Sequence, residues 1–409
     1  MITGLLYLFS KINQPTFPEF WIILAQVSGL FGTLFLSWNY IVSVRHMILE
    51  KIFGGLDRVY KTHEFFGISS FILLLNHPLF LIINFLPFNS TSLYLLPGRN
   101  LAYTFGVLSL YSLFLLVSFT IFVKLPYRFW KLTHEWTGIV ILLALFHAYL
   151  IPSDISRYLP LRIWILSWNS LAILAFIYKR FLYYFLAPKK TYVVENVVQD
   201  SNYLVLTLIG DRQNFLRFNP GQFAFFTING KGADREEHPF SILEQKDNYI
   251  KIGVKVIGNF TLKLTDLKDG DTITVRGPFG NFGEKVQEAK EMVWISGGIG
   301  ITPFLSMAPS IMPDQKVTMI HTSANPESRL LTDKLTEHAV VNPSFRFINH
   351  LTSLYGRLNA DNVCRRFNLT RNSYVFLCGP KKMMETFAEQ FSSYGISRKR
   401  IIYEDFQLR

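Results

Sequence analysis

The N-terminal half of the chain alternates long apolar segments with short polar connections. Leu, Ile, Phe, Val and Trp dominate five segments with few charges, residues 20–42, 65–86, 101–123, 132–151 and 162–186. A helix needs about 20 such residues to cross the hydrocarbon layer, which is about 30 Å thick. The pattern therefore predicts five membrane-spanning helices. Residues 1–10 are apolar but short and have no basic leader, which predicts a stub or surface helix rather than a signal peptide.

The pattern changes after Lys190. Residues 191–285 contain short β-branched and aromatic runs separated by turn residues, which predicts a small antiparallel barrel. Residues 291–409 alternate buried strand candidates with helical stretches, the pattern of a parallel α/β sheet. The predicted fold class is an α-helical transmembrane bundle, an antiparallel β-barrel domain and an α/β parallel-sheet domain. The predicted domain boundaries are 1–187, 188–288 and 289–409.

The chain is 50% hydrophobic and 16% aromatic, and its formal charge is +12. Basic residues concentrate in connections 43–61 and 124–131 and just after the last span. Positive charge near membrane spans favours the cytoplasmic side, so everything after residue 187 is predicted to be cytoplasmic. We see no basic and aromatic interleaving that would predict nucleic-acid binding. The two cysteines, Cys364 and Cys378, fit no C-x-x-C metal site, and their predicted location argues against a structural disulfide.

Four histidines lie in the predicted spans or next to them. His63 and His77 are 14 positions apart in the second span, and His134 and His147 are 13 apart in the fourth. Either spacing corresponds to roughly 20 Å along a helix. Because both spans run in the same direction, His63 is expected to face His134 near the inner surface and His77 to face His147 near the outer one. Two such pairs of neutral imidazoles would ligate two b-type haems.

Each histidine alone could instead bond a neighbouring carbonyl or hydroxyl group. Ideal helix geometry also raises an objection, because 14 residues leave two side chains about 40° apart around the helix, whereas 13 leave them about 140° apart. We therefore expect a kink or bulge in the fourth span between Glu135 and Phe146. Pro78, directly after His77, could bend the second span.

Two motifs in the barrel region suggest a flavin site. In HPFSI, residues 238–242, Phe240 could lie along a flat ring and Ser241 could bond its polar edge. In KVIGNFT, Lys255 and Gly258 precede Thr261, a candidate helix N-cap. A glycine beside exposed N–H groups and a lysine can hold a pyrophosphate. The alternative is that these residues only pack and turn the chain.

A third motif suggests a nucleotide site. In WISGGIGITPFLSM a buried strand leads into a glycine loop and a helix, the arrangement that binds dinucleotide phosphates. The loop departs from G-x-G-x-x-G. Cys378, in LCGP, follows another strand and could touch a nicotinamide at the carboxyl edge of the sheet, or could be a small buried residue.

These motifs, in this order, resemble the ferredoxin-NADP reductase superfamily. Together with the histidine pairs they resemble the NADPH oxidase and ferric reductase transmembrane family, especially its compact bacterial members, from about residue 20 to the end. The resemblance implies FAD on the barrel domain, a nicotinamide nucleotide on the α/β domain and two b-type haems in the membrane. It also implies an integral protein of the bacterial plasma membrane.

The resemblance assigns roles to individual residues. The residues that would contact the isoalloxazine and ribityl parts of FAD are His238, Pro239, Phe240 and Ser241, and those that would hold its pyrophosphate are Lys255, Gly258 and Thr261. The residues that would cradle the nicotinamide nucleotide are Gly297, Gly298, Gly300, Thr302 and Pro303, with Cys378 and Gly379 near the nicotinamide. Phe406 would be the aromatic ring over the flavin, although three residues follow it. Ser241, Cys378 and Phe406 are the predicted catalytic residues. His238 stands where the soluble reductases have arginine, which agrees with the membrane branch.

The choice of nucleotide rests on the segment after the second strand of the α/β domain. Ser323 and Arg329 could bind a 2′-phosphate, and Arg357 could lie nearby. The alternative is that the arginines are free surface residues. These positions favour NADPH over NADH.

Electron counting gives the expected function. A nicotinamide donates two electrons as hydride and haem iron accepts one, so a flavin must divide the pair. The predicted path leads to an extracytoplasmic small-molecule acceptor, dioxygen giving superoxide. The alternatives are a ferric or cupric chelate reductase, and a haem sensor or proton-conducting protein with an inactive reductase module. Some oxidases carry a further histidine one turn beyond the outer ligand, where this chain has Leu81. Besides the acceptor, the expected partner is the lipid bilayer.

Overall fold

We analysed a computed structural model of the chain, which describes all residues except 13–18, 87–90, 231–235, 326–327 and 405–409. The chain forms two compact units. The first comprises residues 1–52 and 58–186, and the second comprises residues 53–57 and 187–409.

The N-terminal half is helical. Its helices are α1 (Ile2–Lys11), α2 (Phe20–Val42), α3 (Met47–Phe53), α4 (Leu56–Phe85), α5 (Ser92–Leu95), α6 (Leu101–Phe122), α7 (Tyr127–Glu135), α8 (Gly138–Leu150), α9 (Asp154–Arg157), α10 (Leu159–Ile177) and α11 (Tyr183–Leu186). A π-helical turn at Tyr178–Leu182 joins the last two. Helix α4 continues through Pro78.

Five stretches of the described chain are long and apolar enough to cross a membrane, as predicted. They are Phe20–Val42, Leu56–Phe85, Leu101–Phe122, Phe129–Leu150 and Leu159–Leu186. The second begins nine residues before the predicted 65, because hydropathy marks only the apolar part of a helix that continues into the polar sequence LDRVYKTHE. The protein is thus an integral membrane protein.

The second unit begins with a closed six-stranded barrel. Its strands are β1 (Lys190–Asp200), β2 (Tyr203–Gly210), β3 (Phe223–Ile228), β4 (His238–Lys246), β5 (Tyr249–Lys255) and β6 (Thr272–Phe279), in the order β1-β2-β5-β4-β3-β6. All neighbouring pairs are antiparallel. Alternate residues of β2, Leu204, Leu206 and Leu208, are fully buried, because successive side chains of a strand point to opposite faces. Helix α12 (Asn259–Lys263) lies between β5 and β6.

A parallel sheet follows the barrel. Its strands are β7 (Glu291–Gly297), β8 (Lys316–Ser323), β9 (Phe345–Leu351), β10 (Tyr374–Cys378) and β11 (Ile401–Tyr403), in the order β11-β10-β7-β8-β9. Its helices are α13 (Thr302–Met307), α14 (Arg329–Val341), α15 (Thr352–Tyr355), α16 (Ala360–Phe367) and α17 (Lys381–Tyr394). The consecutive residues Val293, Trp294 and Ile295 of β7 are fully buried, because helices cover both faces of a parallel sheet. The predicted fold class is confirmed.

Polar contacts join the barrel to the sheet within the second unit. Lys334 Nζ of α14 lies 2.9 Å from Glu244 Oε2 of β4, and Ser328 Oγ donates to Asp200 Oδ2 at 2.7 Å. Burial raises the pKa of Glu244, but hydrogen bonds and charges from Lys334, Tyr249 and Lys251 outweigh this effect and bring the pKa to about 2. The ionised carboxylate of Glu244 therefore holds α14 against β4.

The loops after β7 and β10 are in direct backbone contact. A Cβ atom on Gly300 would lie 2.3 Å from the carbonyl oxygen of Cys378 and 2.7 Å from the amide nitrogen of Gly379. Only a residue without a side chain lets the two loops meet at this distance.

We predict that Glu244→Gln destabilises the second unit at neutral pH by at most about 1 kcal/mol, because a partly exposed ion pair is screened by water. A carboxyl group whose pKa is lowered on folding stabilises the fold above its ordinary pKa, and this contribution is lost as the pH falls. The difference from wild type should therefore shrink between pH 4.5 and about 2. Urea unfolding across this range checks the prediction. Asp361→Asn, in an exposed pair with Arg365, is the control, and a pH-independent difference would contradict the assignment.

We predict that Gly300→Ala destabilises the chain by roughly 1–3 kcal/mol, the usual cost of overpacking. The added methyl group would press on the Cys378 backbone, which has no flexible end that can move away. Thermal unfolding of the full chain measures the loss. Gly98→Ala is the matched control, because a Cβ there meets no atom within 4 Å. Equal unfolding midpoints for the two variants would show that the loops can separate freely.

Candidate functional site

The structure brings the four membrane histidines together as two facing pairs. The ring centroids of His63 and His134 are 6.0 Å apart, and those of His77 and His147 are 6.4 Å apart. Helix α4 supplies one histidine to each pair, and α7 and α8 supply the others. Nowhere in the described parts of the chain do three or more His, Cys, Asp or Glu side chains group to hold a metal ion. Paired ligation is thus the arrangement available.

The hydrogen bonds of the rings leave one nitrogen for a ligand. Nδ1 of His63 lies 3.1 Å from the carbonyl oxygen of Asn39, Nδ1 of His77 lies 2.6 Å from that of Ala25, and Nδ1 of His147 lies 2.7 Å from that of Ala102. An Nδ1–H that donates to a carbonyl fixes the tautomer whose Nε2 can bind a metal. His134 differs, because its Nδ1 lies 3.4 Å from Thr120 Oγ1 and its ring stacks on Trp130.

The spacing of the rings suits one metal atom between them. Nitrogen–metal bonds of about 2 Å on both sides place the two ring centroids about 6 Å apart, close to the observed separations. Gly29 and Gly106 make room for the outer pair, since a Cβ on either would lie 2.8 Å from Nδ1 of His77 or His147 respectively. Our sequence analysis missed both glycines. Their position inside apolar helices, where glycine is costly, was the available signal.

A cavity of about 440 Å³ adjoins the outer pair, within the usual range for cofactor sites. His77 and His147 line it, together with Leu81 and Arg157. The free ring nitrogens of the histidines, the space left by Gly29 and Gly106, and this cavity together fit a planar group with a central metal. Arg157, the last residue of α9, also lines the cavity and is placed where it can meet a negatively charged edge of such a group.

The fourth span is broken between its two histidines. Helix α7 ends at Glu135 and α8 begins at Gly138. The N–H groups of Thr137, Ile139 and Val140 each bond the carbonyl three residues earlier, which is a tight 3₁₀ pattern. A Cβ on Gly138 would lie 2.1 Å from the ring of Phe176. The expected irregularity lies within the predicted interval, as a tight turn rather than a π-bulge.

The two candidate flavin motifs lie side by side in the barrel. The His238 ring stacks on Phe260 of α12 with centroids 3.8 Å apart, and Phe240 lies 6.2 Å from the same ring. Pro239 and Ser241 pair with β3 in the barrel wall, and Ser241 is buried. Lys255 Nζ lies 5.2 Å from the centre of the Tyr203 ring.

Gly258 and Thr261 have different roles in the structure. Thr261 Oγ1 accepts hydrogen bonds from the N–H groups of Ile257 and Gly258, both at 3.0 Å, so these two donors are committed to the loop. A Cβ on Gly258 would meet no atom within 4 Å. Gly258 is thus open to the close approach of a ligand, whereas Thr261 shapes the loop.

A buried ion pair that our sequence analysis missed fixes the start of β4. Arg276 Nε donates to Glu237 Oε1 at 2.7 Å, and the Arg276 side chain is 3% exposed. Arg276 Nη1 also donates to the carbonyl of Ala187 at 3.1 Å. The pair joins residues far apart in sequence, so no local pattern indicated it.

The glycine loop and the Cys378 loop form one edge of the sheet. A Cβ on Gly297 would lie 2.7 Å from Met383 Sδ, and one on Gly379 would lie 2.9 Å from the Gly297 amide nitrogen. Gly298 has a positive φ of 56°, which glycine adopts readily. Cys378 is 1% exposed. The residues predicted for the nucleotide loop therefore do lie together.

Other predicted nucleotide residues are placed differently. Thr302 and Pro303 are buried, and Thr302 Oγ1 donates to the carbonyl of Ile299, so both residues pack the helix rather than line an open edge. Ser323 ends β8, and within the described residues its buried hydroxyl has no hydrogen-bond partner. Arg329 begins α14 and is exposed, as is Arg357. Phe406 lies outside the described residues.

Comparison with known families identifies three regions. Residues 28–145 match the ferric reductase like transmembrane component, residues 191–280 match an FAD-binding domain, and residues 294–389 match an oxidoreductase NAD-binding domain. These matches fall on the helical bundle, the barrel and the parallel sheet.

Individual relatives agree for the soluble half. A probable dihydroorotate dehydrogenase B (NAD(+)) electron transfer subunit of Thermoplasma volcanium is 30% identical over 197 residues, covering 47% of this chain and 68% of that protein. Flavohemoprotein A of Dictyostelium discoideum is 24% identical over 241 residues, covering 53% of this chain and only 60% of that protein. A flavohemoglobin structure from Malassezia yamatoensis, with FAD and haem bound, has a TM-score of 0.53 at 16% identity and covers 94% of this chain and 96% of that one. The last likeness concerns the fold alone.

The matched regions and the fold together establish an NAD(P)H-dependent flavoprotein oxidoreductase with FAD-binding and NAD(P)-binding domains. The chain thus combines a ferric reductase like transmembrane component with FAD-binding and NAD-binding domains of the ferredoxin-NADP reductase type.

Proposed function

We propose that this protein transfers electrons from NADPH through FAD and two b-type haems to dioxygen on the extracytoplasmic side, forming superoxide. The observation that carries the proposal is the two facing histidine pairs, at 6.0 and 6.4 Å. They lie in a chain whose other domains bind a flavin and a nicotinamide nucleotide. In this proposal His63 and His134 hold the inner haem and His77 and His147 hold the outer one.

When bound, FAD takes two electrons as hydride and the haem irons take them singly. The protein residues order these groups. Phe240 and His238 offer ring surfaces beside Phe260, and Ser241 bonds the polar edge of the flavin. Gly258 leaves a space within 4 Å into which the pyrophosphate can come, and Lys255 supplies positive charge.

In the α/β domain, the loops that contain Gly300 and Cys378 are in contact, and the dinucleotide would bind against them. Cys378 and Gly379 would lie near the nicotinamide. Among the described residues the buried hydroxyl of Ser323 has no hydrogen-bond partner, which supports a phosphate ligand at this position. With the exposed Arg329, this favours NADPH over NADH.

The domain boundaries we propose are residues 187 and 288. We also propose that the reductase domains lie in the cytoplasm of a bacterium and that the His77–His147 pair lies toward the outside. Support comes from basic residues in the connections 43–61 and 124–131, which favour the cytoplasmic side.

A second candidate acceptor is a ferric or cupric chelate. The match of residues 28–145 to a ferric reductase like component favours it. Dioxygen is favoured by the apolar part of the outer cavity wall, which includes Leu81, Leu110 and Ile165, while Asp154 and Arg157 are charged residues of the same wall. An uncharged diatomic molecule enters apolar surroundings more readily than a charged chelate.

We predict that replacing a histidine removes one haem of the two. His77→Ala and His147→Ala should lose the outer haem, and His63→Ala and His134→Ala the inner one, because a single imidazole holds the iron weakly. Haem content and reduced-minus-oxidised spectra of the purified protein measure this. His46→Ala, on an exposed histidine near α3, is the control. Two intact bis-imidazole spectra in His77→Ala and His147→Ala would contradict the proposal.

We predict that the protein with FAD and NADPH reduces dioxygen to superoxide faster than it reduces a ferric chelate. Superoxide is measured as dismutase-sensitive dye reduction, and ferric reduction is measured under anaerobic conditions with a ferrous chelator. His77→Ala should abolish both reactions while leaving NADPH oxidation by an artificial flavin acceptor intact. Fast anaerobic ferric reduction with no superoxide in air would assign the protein to the reductases.

A further inference from the structure

Helix α1 packs with its polar side toward the protein. Thr3, Tyr7 and Lys11 are buried, while large apolar side chains on its other faces are 47–68% exposed, namely Ile2, Leu5, Leu8, Phe9 and Ile12. A helix on a water-soluble protein shows the opposite arrangement. Trp164 Nε1 of α10 donates to Thr3 Oγ1 at 3.0 Å, so α1 is attached to the membrane bundle by polar contacts.

The strongest of these contacts is a buried ion pair. Lys11 Nζ lies 2.6 Å from Asp154 Oδ2, and the two side chains are 6% and 4% exposed. Gln26 Oε1 accepts from Lys11 at 2.9 Å and from the hydroxyl of Tyr7 at 2.9 Å. Charges inside a membrane protein are costly and usually functional. The function assigned above uses neither residue.

The pair borders the cavity of the outer histidines. Asp154 and Gln26 line the same cavity of about 440 Å³ as His77 and His147, and Lys11 bonds both of them. Asp154 therefore contacts Lys11 and also lines the cavity of the outer site. Arg157 is a further charged group on the cavity wall.

We propose that Lys11 neutralises Asp154, a carboxylate in the wall of the cavity beside His77 and His147, and so prevents this carboxylate from lowering the reduction potential of the haem that these histidines hold. This inference rests on the proposed function. Reduction of a haem iron adds one negative charge, and surroundings of low dielectric transmit the field of a nearby charge strongly. At 2.6 Å separation the opposite charges largely cancel at the distance of the haem.

Removal of either partner exposes the charge of the other, and the two removals act in opposite directions. Asp154→Asn leaves the ammonium of Lys11, which stabilises the reduced haem and raises its potential. Lys11→Met leaves the carboxylate of Asp154, which lowers the potential. The double variant restores neutrality. Arg157 remains in all four proteins and does not change these signs.

The test is a spectroscopic redox titration of full-length protein in lipid nanodiscs, for wild type, both single variants and the double variant. The outer haem is identified with His63→Ala, which retains only the outer pair. We expect opposite shifts of about tenfold in the reduction equilibrium, about 59 mV for one electron. The double variant should return to the wild-type value, and the inner haem should not move. Arg365→Met with Asp361→Asn, an exposed pair in α16, is the matched control.

Shifts of the same sign in the two single variants, or no shift with the haem spectrum intact, would overturn the inference. A single variant can lose its haem, since an uncompensated buried charge destabilises strongly. In that case recovery of both haems and of the wild-type potential in the double variant supports the inference, and failure to recover overturns it. A wild-type protein without b-haem would instead overturn the proposed function, on which the inference rests.

Discussion

Four imidazole rings inside an apolar bundle impose the constraint on which the membrane half depends. Each ring needs a polar partner. For three of the four rings, this partner is a backbone carbonyl of a neighbouring helix. His63 and His77 of α4 bond carbonyls of α2, and His147 of α8 bonds a carbonyl of α6. These bonds bring helices close enough that Gly29 and Gly106 cannot carry a side chain. Histidine placement and helix spacing are therefore one feature of the bundle.

The break in the fourth span follows from the same constraint. Thirteen residues of ideal helix would leave His134 and His147 about 140° apart, whereas both must face α4. A residue in a 3₁₀ turn adds about 20° more rotation than one in an α-helix. Three or four such residues at Trp136–Val140 reduce the offset to about 60–80°. Thr137 Oγ1 donates to the carbonyl of His134, and the Tyr40 hydroxyl donates to the Thr137 carbonyl, which stabilises the turn.

The pattern of apolar and polar residues was sufficient to predict those helices and strands that have a clear local pattern. The five spans, five of the six barrel strands and β7 to β10 follow from runs of apolar residues, and the irregular fourth span follows from a mismatch of spacing. Strand β4, with the sequence HPFSILEQK, was not among the predicted strands. The short strand β11, Ile401–Tyr403, has too few residues to show a period. Contacts between distant residues have no local pattern at all, which is why the Arg276–Glu237 pair and the stacking of His238 on Phe260 emerged only from the structure.

Thr302 shows a different limit of sequence reasoning. A threonine before proline at the start of a helix fits a phosphate loop, yet its hydroxyl bonds the Ile299 carbonyl and its methyl group packs against the barrel at Gly253. Thr261 likewise bonds its own loop. A motif shows which donors exist near a site, but a donor can equally satisfy the protein's own backbone, and only the fold decides between the two.

The backbone carbonyl dipoles around the histidines have fixed orientations, and this favours electron transfer through such a bundle. Each transfer changes the charge at a site, and surroundings that are already oriented need not rearrange when this happens. Backbone carbonyls at Ala25, Asn39 and Ala102 are held in helices, unlike water. The Lys11–Asp154 pair is fixed by Gln26 and by the stacked position of Tyr7. The rigidly held ion pair beside the outer site and the rigid carbonyls behind the rings are two parts of one arrangement, in which the protein sets the electrostatics before an electron arrives.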